Sequence, residues 1–154
     1  MISSNKHHKS EIEELRSHRN KLRAENSFLI KSTEDLLNSF NVDNGVALVS
    51  FDSLKELNLN QIYDVNESVS FILEEKTENK LVFTTYMQEN GRFGLQEHDC
   101  FEVVEVVKGN LFETERGYKV YTQGEIVTYS PFEKHKPYAT SNSVYKVIFY
   151  KKLP

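Results

Sequence analysis

The sequence predicts an all-β fold of antiparallel barrel or sandwich type behind one long amphipathic helix. Three observations carry this. Before Asn44-Gly45 there is no proline and the apolar residues follow a helical rhythm. After it come short β-branched and aromatic runs separated by turn residues. The length of 154 residues, 38% of them apolar and 27% charged, suits one soluble domain plus a helix and excludes a second full domain.

The first nine residues form a flexible N-terminus in this reading, and the helix spans 10–42. Ser10 with Glu13 makes a capping box, in which the hydroxyl accepts from a first-turn amide and the carboxylate reaches back. Leu15, Leu22, Leu29 and Leu36 then recur every seventh residue, with Ile12, Arg19, Asn26 and Thr33 three residues before them. A 3.5-residue repeat keeps one seam facing a partner helix, and an a-position Asn pairs with its own copy in a parallel dimer. The expected coiled-coil interface is therefore Ile12, Leu15, Leu22, Asn26, Leu29 and Leu36, and the expected partner is a second copy of the chain. A competing reading docks the helix on its own barrel, because Ile30 and Leu37 widen the stripe and Arg19 interrupts the seam.

The stretch resembles a leucine zipper, but its basic cluster Arg16, Arg19, Lys21 and Arg23 lies within the seam rather than ahead of it. Few phosphate contacts are available upstream, and the net charge of −4, all of it within 46–154, attracts no polyanion. Nucleic acid is not an expected partner. No run reaches the roughly 18 apolar residues of a membrane span, and the first residues lack a secretory signal, so a cytoplasmic location is expected. A single cysteine, Cys100, excludes a disulfide framework and leaves histidine as the plentiful soft ligand.

Strands are expected near 46–51, 68–75, 80–88, 93–98, 100–108, 110–115, 118–123, 125–130, 135–140 and 144–152, together forming the domain 46–154. Asn90-Gly91, Lys108-Gly109-Asn110 and Glu115-Arg116-Gly117 supply tight turns between them. Strand alternation puts Gln96, His98, Cys100, Glu102, Val104 and Val106 on one face, polar at its start and apolar at its end. A buried face that opens with Gln, His and Glu must satisfy those groups with hydrogen bonds or a metal.

His98, Glu102 and Gly109, followed by Gly124 and His135 eleven residues apart, resemble the two motifs of the cupin family. The resemblance covers roughly 68–152 and implies a jelly-roll-type barrel. His98 matches the second histidine of the first motif, Glu102 its glutamate and His135 the histidine of the second motif. Gln96 stands where the family has its first histidine, and the turn glycine of the second motif is missing, with Pro131 one place late. The implied metal set is His98, Glu102 and His135, with Gln96 as a weak fourth contact, and such a set suits Fe, Mn, Ni or Zn as a divalent ion. The alternative is a barrel that has lost its metal, with the histidines hydrogen-bonded in its lumen. Cys100, Tyr86, Phe93, Tyr129 and Tyr138 are the expected pocket lining, while His7, His8 and His18 read as solvated.

Three functions follow from different classes: a metal-binding module that holds a small organic ligand and dimerises through helix or barrel, a metal-dependent enzyme of dioxygenase or isomerase type, and a metal-free structural or interaction protein. One scaffold hosts all three, so fold alone does not choose.

Overall fold

The structure, a computed structural model, describes residues 30–154. The expected interface residues Ile12, Leu15, Leu22, Asn26 and Leu29 lie outside the described residues. Helix α1 spans Thr33–Ser39, where Ser32 caps it by accepting from the Asp35 amide at 3.2 Å and Glu34 and Asp35 favour its positive end. Leu36 is a correction to the zipper expectation. It is 2% exposed and packs into the same chain's core, as does Phe40, whose ring lies 5.8 Å from Phe71 and 5.5 Å from Phe93.

Eleven strands follow: β1 (Ala47–Leu48), β2 (Ile62–Asn66), β3 (Val69–Lys76), β4 (Lys80–Met87), β5 (Gln96–Glu97), β6 (Phe101–Lys108), β7 (Asn110–Glu113), β8 (Lys119–Thr122), β9 (Ile126–Tyr129), β10 (Pro137–Tyr138) and β11 (Ser143–Tyr150). They form a six-stranded antiparallel sheet in the order β2-β3-β4-β11-β6-β9, a three-stranded antiparallel sheet β10-β7-β8, and a parallel pair β1-β5. The architecture is thus mostly antiparallel β, as expected. The hydrogen-bonded ladders do not close into one continuous barrel; the two antiparallel sheets instead enclose the core between them.

Two elements escaped the sequence. The run expected as a strand over 46–51 pairs for only two residues before Ser50 caps a short helix α2, Phe51–Lys55, by accepting from the Ser53 amide. Asp99 accepts from the Phe51 amide at 2.8 Å, which ties this helix to the segment carrying His98. Strand β2, with Tyr63 and Val65 buried and Ile62 and Asp64 exposed, pairs with β3 as an edge. The expected strand 110–115 stops at Glu113 because Thr114–Arg116 turns as a 3-10 helix.

Alternation sets the inner face. Phe71 and Leu73 on β3, Phe83 and Thr85 on β4, Tyr145, Val147 and Phe149 on β11, and Val104 and Val106 on β6 are all buried. Edge-to-face contacts of Phe83 with Phe71 at 5.2 Å and Phe149 at 5.7 Å run across three adjacent strands. The candidate site sits at one end of this aromatic layer.

Candidate metal centre

Three segments meet at the site. His98 follows β5, Glu102 is the second residue of β6, and His135 is drawn against β5 by a paired bridge, Gln96 N–H to His135 O at 3.0 Å and His135 N–H to Gln96 O at 2.9 Å. The residues expected on one continuous strand face are all buried, but the strand breaks at His98–Cys100. That break lets His98 approach Glu102 from the side rather than stand in line with it.

The three ligand atoms form a near-equilateral triangle. His98 Nε2 and His135 Nε2 each lie 3.1 Å from Glu102 Oε1 and 3.2 Å from each other. Each imidazole has its other nitrogen against a backbone carbonyl: His98 Nδ1 is 2.7 Å from Val49 O, and His135 Nδ1 is 3.0 Å from Glu133 O. A carbonyl only accepts, so in the neutral rings Nδ1 carries the proton and Nε2 presents its lone pair. Two nitrogen lone pairs and a carboxylate oxygen therefore converge at 2%, 2% and 8% exposure, and Glu102 Oε1 makes no hydrogen bond there.

Such a triangle of lone pairs repels itself until a proton on one Nε2, facing Glu102 and the other imidazole, or a metal cation seated against it relieves the repulsion. Two ligands bound to one ion at about 2.1 Å and at right angles stand about 3.0 Å apart, so the observed edges match one face of an octahedron. The donor set fits a divalent transition metal, and these are the residues that would hold it. Burial works against charge on Glu102, yet the two histidines beside it hold its carboxyl well below the usual range. Burial likewise opposes protonation of His135, and the Glu102 carboxylate overcomes this and raises its pKa.

The surroundings fix the rings. Val49 directly follows the short strand β1, so the parallel β1-β5 pair is what places the carbonyl under His98. Phe149 meets the His98 ring edge-on at 4.9 Å. Tyr129 stacks on His135 at 4.4 Å and 24°, and its hydroxyl donates to Glu113 Oε1 at 2.6 Å. Glu113 is fully buried and also accepts from the Lys136 and Glu115 amides, while the Arg116 guanidinium lies 4.9 Å over the Tyr129 ring and pairs with Glu133 at 2.8 Å. These outer partners were missed in the sequence. The available signal was an acid, Glu113, on the inward parity set by Leu111.

The turn before His135 also departs from expectation. With its glycine missing, Phe132 takes the left-handed conformation at φ 63° and donates its amide to His98 O at 2.7 Å. Glu133 staples the same turn, accepting from the Ser130 amide at 3.0 Å.

A cavity of about 40 Å³ opens beside the triad, lined by Gln96, Glu102, His135 and an aromatic wall. Of the expected lining residues, Phe93 and Tyr129 face it. Tyr86 and Tyr138 do not: Tyr86 is 45% exposed between the inward Thr85 and Met87, and Tyr138 stacks on Phe112 at 5.1 Å beside the inward Pro137. Cys100 is buried in the core away from the cavity lining. Burial and the nearby Asp99 and Glu102 charges push its thiol up, which keeps it protonated and unreactive. Thr85, Met87, Phe71, Phe83 and Phe149 complete the wall.

No protein-family model matches the chain. No curated protein matches it either. Solved structures do. KdgF from Halomonas sp. aligns with a TM-score of 0.56 at 13% identity, covering 61% of this chain and 88% of that one. An RmlC-like cupin from Shewanella frigidimarina NCIMB 400 aligns with a TM-score of 0.56 at 14% identity, covering 63% and 91%. An acetylacetone dioxygenase from Acinetobacter johnsonii aligns with a TM-score of 0.52 at 12% identity, covering 62% and 71%.

Proposed function

The chain has the cupin fold, and on that premise we propose that it is a metal-binding module that holds one divalent transition ion through His98 Nε2, Glu102 and His135 Nε2 and a small organic ligand in the adjoining cavity. The observation that carries this reading is the convergence of three lone-pair atoms within 3.1–3.2 Å, with both imidazole tautomers set by backbone carbonyls. Bound there, the ion would supply Lewis acidity and open positions for an oxygen ligand. Val49 and Glu133 orient the rings, Tyr129 and Phe149 hold them, and the aromatic wall keeps bulk water out.

Elemental analysis of tag-free protein tests it. The expected result is one equivalent of metal in the wild type and a loss of at least about ten-fold in His98→Ala and His135→Ala. Metal-free wild type, or full retention in both variants, overturns it.

A second reading, catalysis of dioxygenase or isomerase type, is favoured by the open face of the triad and by the likeness to acetylacetone dioxygenase. Turnover of any member of a keto acid, diol, thiol and sugar panel by metal-loaded protein, lost in His98→Ala, would establish it. The homodimer belongs to the same proposal. If the zipper carries it, Leu15→Glu with Leu22→Glu yields a monomer by light scattering. If the barrel carries it, the dimer persists.

A further inference from the structure

We propose that two copies of the chain associate through the outer face of the six-stranded sheet, across a two-fold axis that runs along the strands between β4 and β11. This assigns a surface to the homodimer proposed above and rests on that reading.

Composition marks the face. The outward positions of an antiparallel sheet with one solvated side are ordinarily polar. Here β11 turns Val144, Ile148 and Tyr150 outward beside one charge, Lys146, and β6 turns Phe101, Val103 and Val107 outward beside Glu105. These six apolar side chains are half-buried or exposed, Val107 at 46%, and Tyr86 on β4 is 45% exposed. Six strands, four of them eight residues long, give a face of roughly 700 Å² at about 4.8 Å per strand and about 3.4 Å per residue. That is close to the roughly 800 Å² per partner of a standard interface.

Register sets the axis. One cross-strand row runs Asp64, Ser70, Tyr86, Val144, Lys108, and the next runs Ile62, Ile72, Thr84, Lys146, Glu105, Ile126. The β2-β3 half therefore holds the acids Asp64 and Glu74, the latter accepting from Thr84, and the β11-β6 half holds the bases Lys146 and Lys108, with Glu105 beside Lys146. A face with opposite charges on its two halves is complementary to its own copy. Rotation about an axis along the strands lays β4 on β11 of the second copy and keeps each row level. Tyr86 then meets Val144, Val82 meets Ile148, and Lys146 comes over Thr84 next to Glu74. A recess of about 160 Å³ lined by Tyr86, Lys108 and Val144 lies where the second Tyr86 arrives, as an aromatic anchor. An axis about 15° off the strands gives the roughly 30° at which twisted sheets pack face to face. An axis across the strands lays β11 on β11 and each charged half on itself, so like charges meet.

Sedimentation velocity of the full chain over a dilution series tests this, with metal content measured on the same samples. The wild type is expected to be a dimer. Tyr86→Lys is expected to weaken it by at least about thirty-fold, because each substitution acts at two equivalent places. Glu74→Lys sets a lysine against Lys146 and weakens the dimer about ten-fold, and Glu74→Lys with Lys146→Glu returns it to within about three-fold of wild type. The charge pair decides where Tyr86→Lys does not fold. Leu15→Glu with Leu22→Glu leaves the dimer within about three-fold, and metal content is the same throughout. An unchanged dimer in Tyr86→Lys, as when the chain's own residues 1–29 cover the face, overturns the proposal. So does a double charge variant no tighter than Glu74→Lys alone. A dimer lost only in the Leu15, Leu22 variant overturns the face and leaves the homodimer standing, while a monomeric wild type overturns both and leaves the metal reading intact.

Discussion

Tyr129 lies flat on His135, ring centroids 4.4 Å apart, and its hydroxyl is fastened to the buried Glu113 at 2.6 Å. Glu113 also accepts the Lys136 amide at 2.8 Å, so one carboxylate holds both the ring above the histidine and the backbone just after it. Burial, then the Glu113 charge, drives the phenol pKa upward, so Tyr129 stays a neutral donor. Its part is to position His135 rather than to supply protons to the cavity.

Tyr129→Phe keeps the stack and removes the donor. Glu113 then loses one of its three partners in a site without water access. We expect a loss of about 1–3 kcal/mol in urea denaturation, the cost of an unsatisfied buried acceptor. Metal affinity, read by chelator competition, falls by no more than about ten-fold because the three ligands remain. An unchanged midpoint would remove Glu113 and Tyr129 from the support of the site.

The pH dependence should reverse sign with metal. In stripped protein, His135 has a pKa raised above its ordinary 6.5, so its contribution is complete below 6.5 and is lost as pH rises through the folded value. Glu102 is lowered from 4.5, so its contribution is complete above 4.5 and lost as pH falls through its folded value. From these two groups the stripped protein is most stable between 4.5 and 6.5. A metal needs both imidazoles unprotonated, so the loaded protein gains stability as pH rises across the range where the stripped protein loses it. Thermal melts of both forms from about pH 6 to pH 8 check this; parallel slopes would contradict it.

The grouping of His98, Glu102 and His135 was legible because a spacing of four residues across a strand start, and a second histidine after a proline turn, survive in the chain whatever the local backbone does. Fold class was legible from alternation, since Phe71, Phe83, Tyr145 and Phe149 obey it without exception. Tyr86 and Tyr138 were misplaced by one residue of parity, which moves a side chain to the opposite face. Leu36 fits a heptad and a barrel-facing helix equally well, and only the packing of α1 against the core decides. Phe132 was illegible for a different reason: its left-handed conformation is imposed by the tether to His98 and by Glu133, neither of which is local in propensity.

A second left-handed residue offers a clean gain in stability. Gly117 and Tyr118, at φ 65° and 60°, turn the chain into β8, and Tyr118 is 65% exposed. A side chain at positive φ costs about 1–2 kcal/mol, and Asn tolerates the region better than Tyr. Tyr118→Asn should raise stability by about 1 kcal/mol in urea denaturation and leave metal content unchanged. A destabilised variant would mean that the exposed ring makes a contact worth more than the strain.

Phe149 joins the core to the site, edge-on to Phe83 at 5.7 Å and to His98 at 4.9 Å. It is 5% exposed near the C-terminal end of β11, which runs between β4 and β6, so neighbouring backbone cannot collapse into the space it fills. Phe149→Ala should cost about 3–5 kcal/mol, the usual result of emptying an aromatic site in a packed core. It also removes one wall from the His98 ring, leaving the Val49 carbonyl to hold the imidazole. Metal affinity should therefore fall by about ten-fold, more than in Phe71→Ala, whose ring packs against Phe83 and Phe40 and not against a ligand. Equal loss of metal in the two variants would show that global loosening, and not the support of His98, sets the affinity.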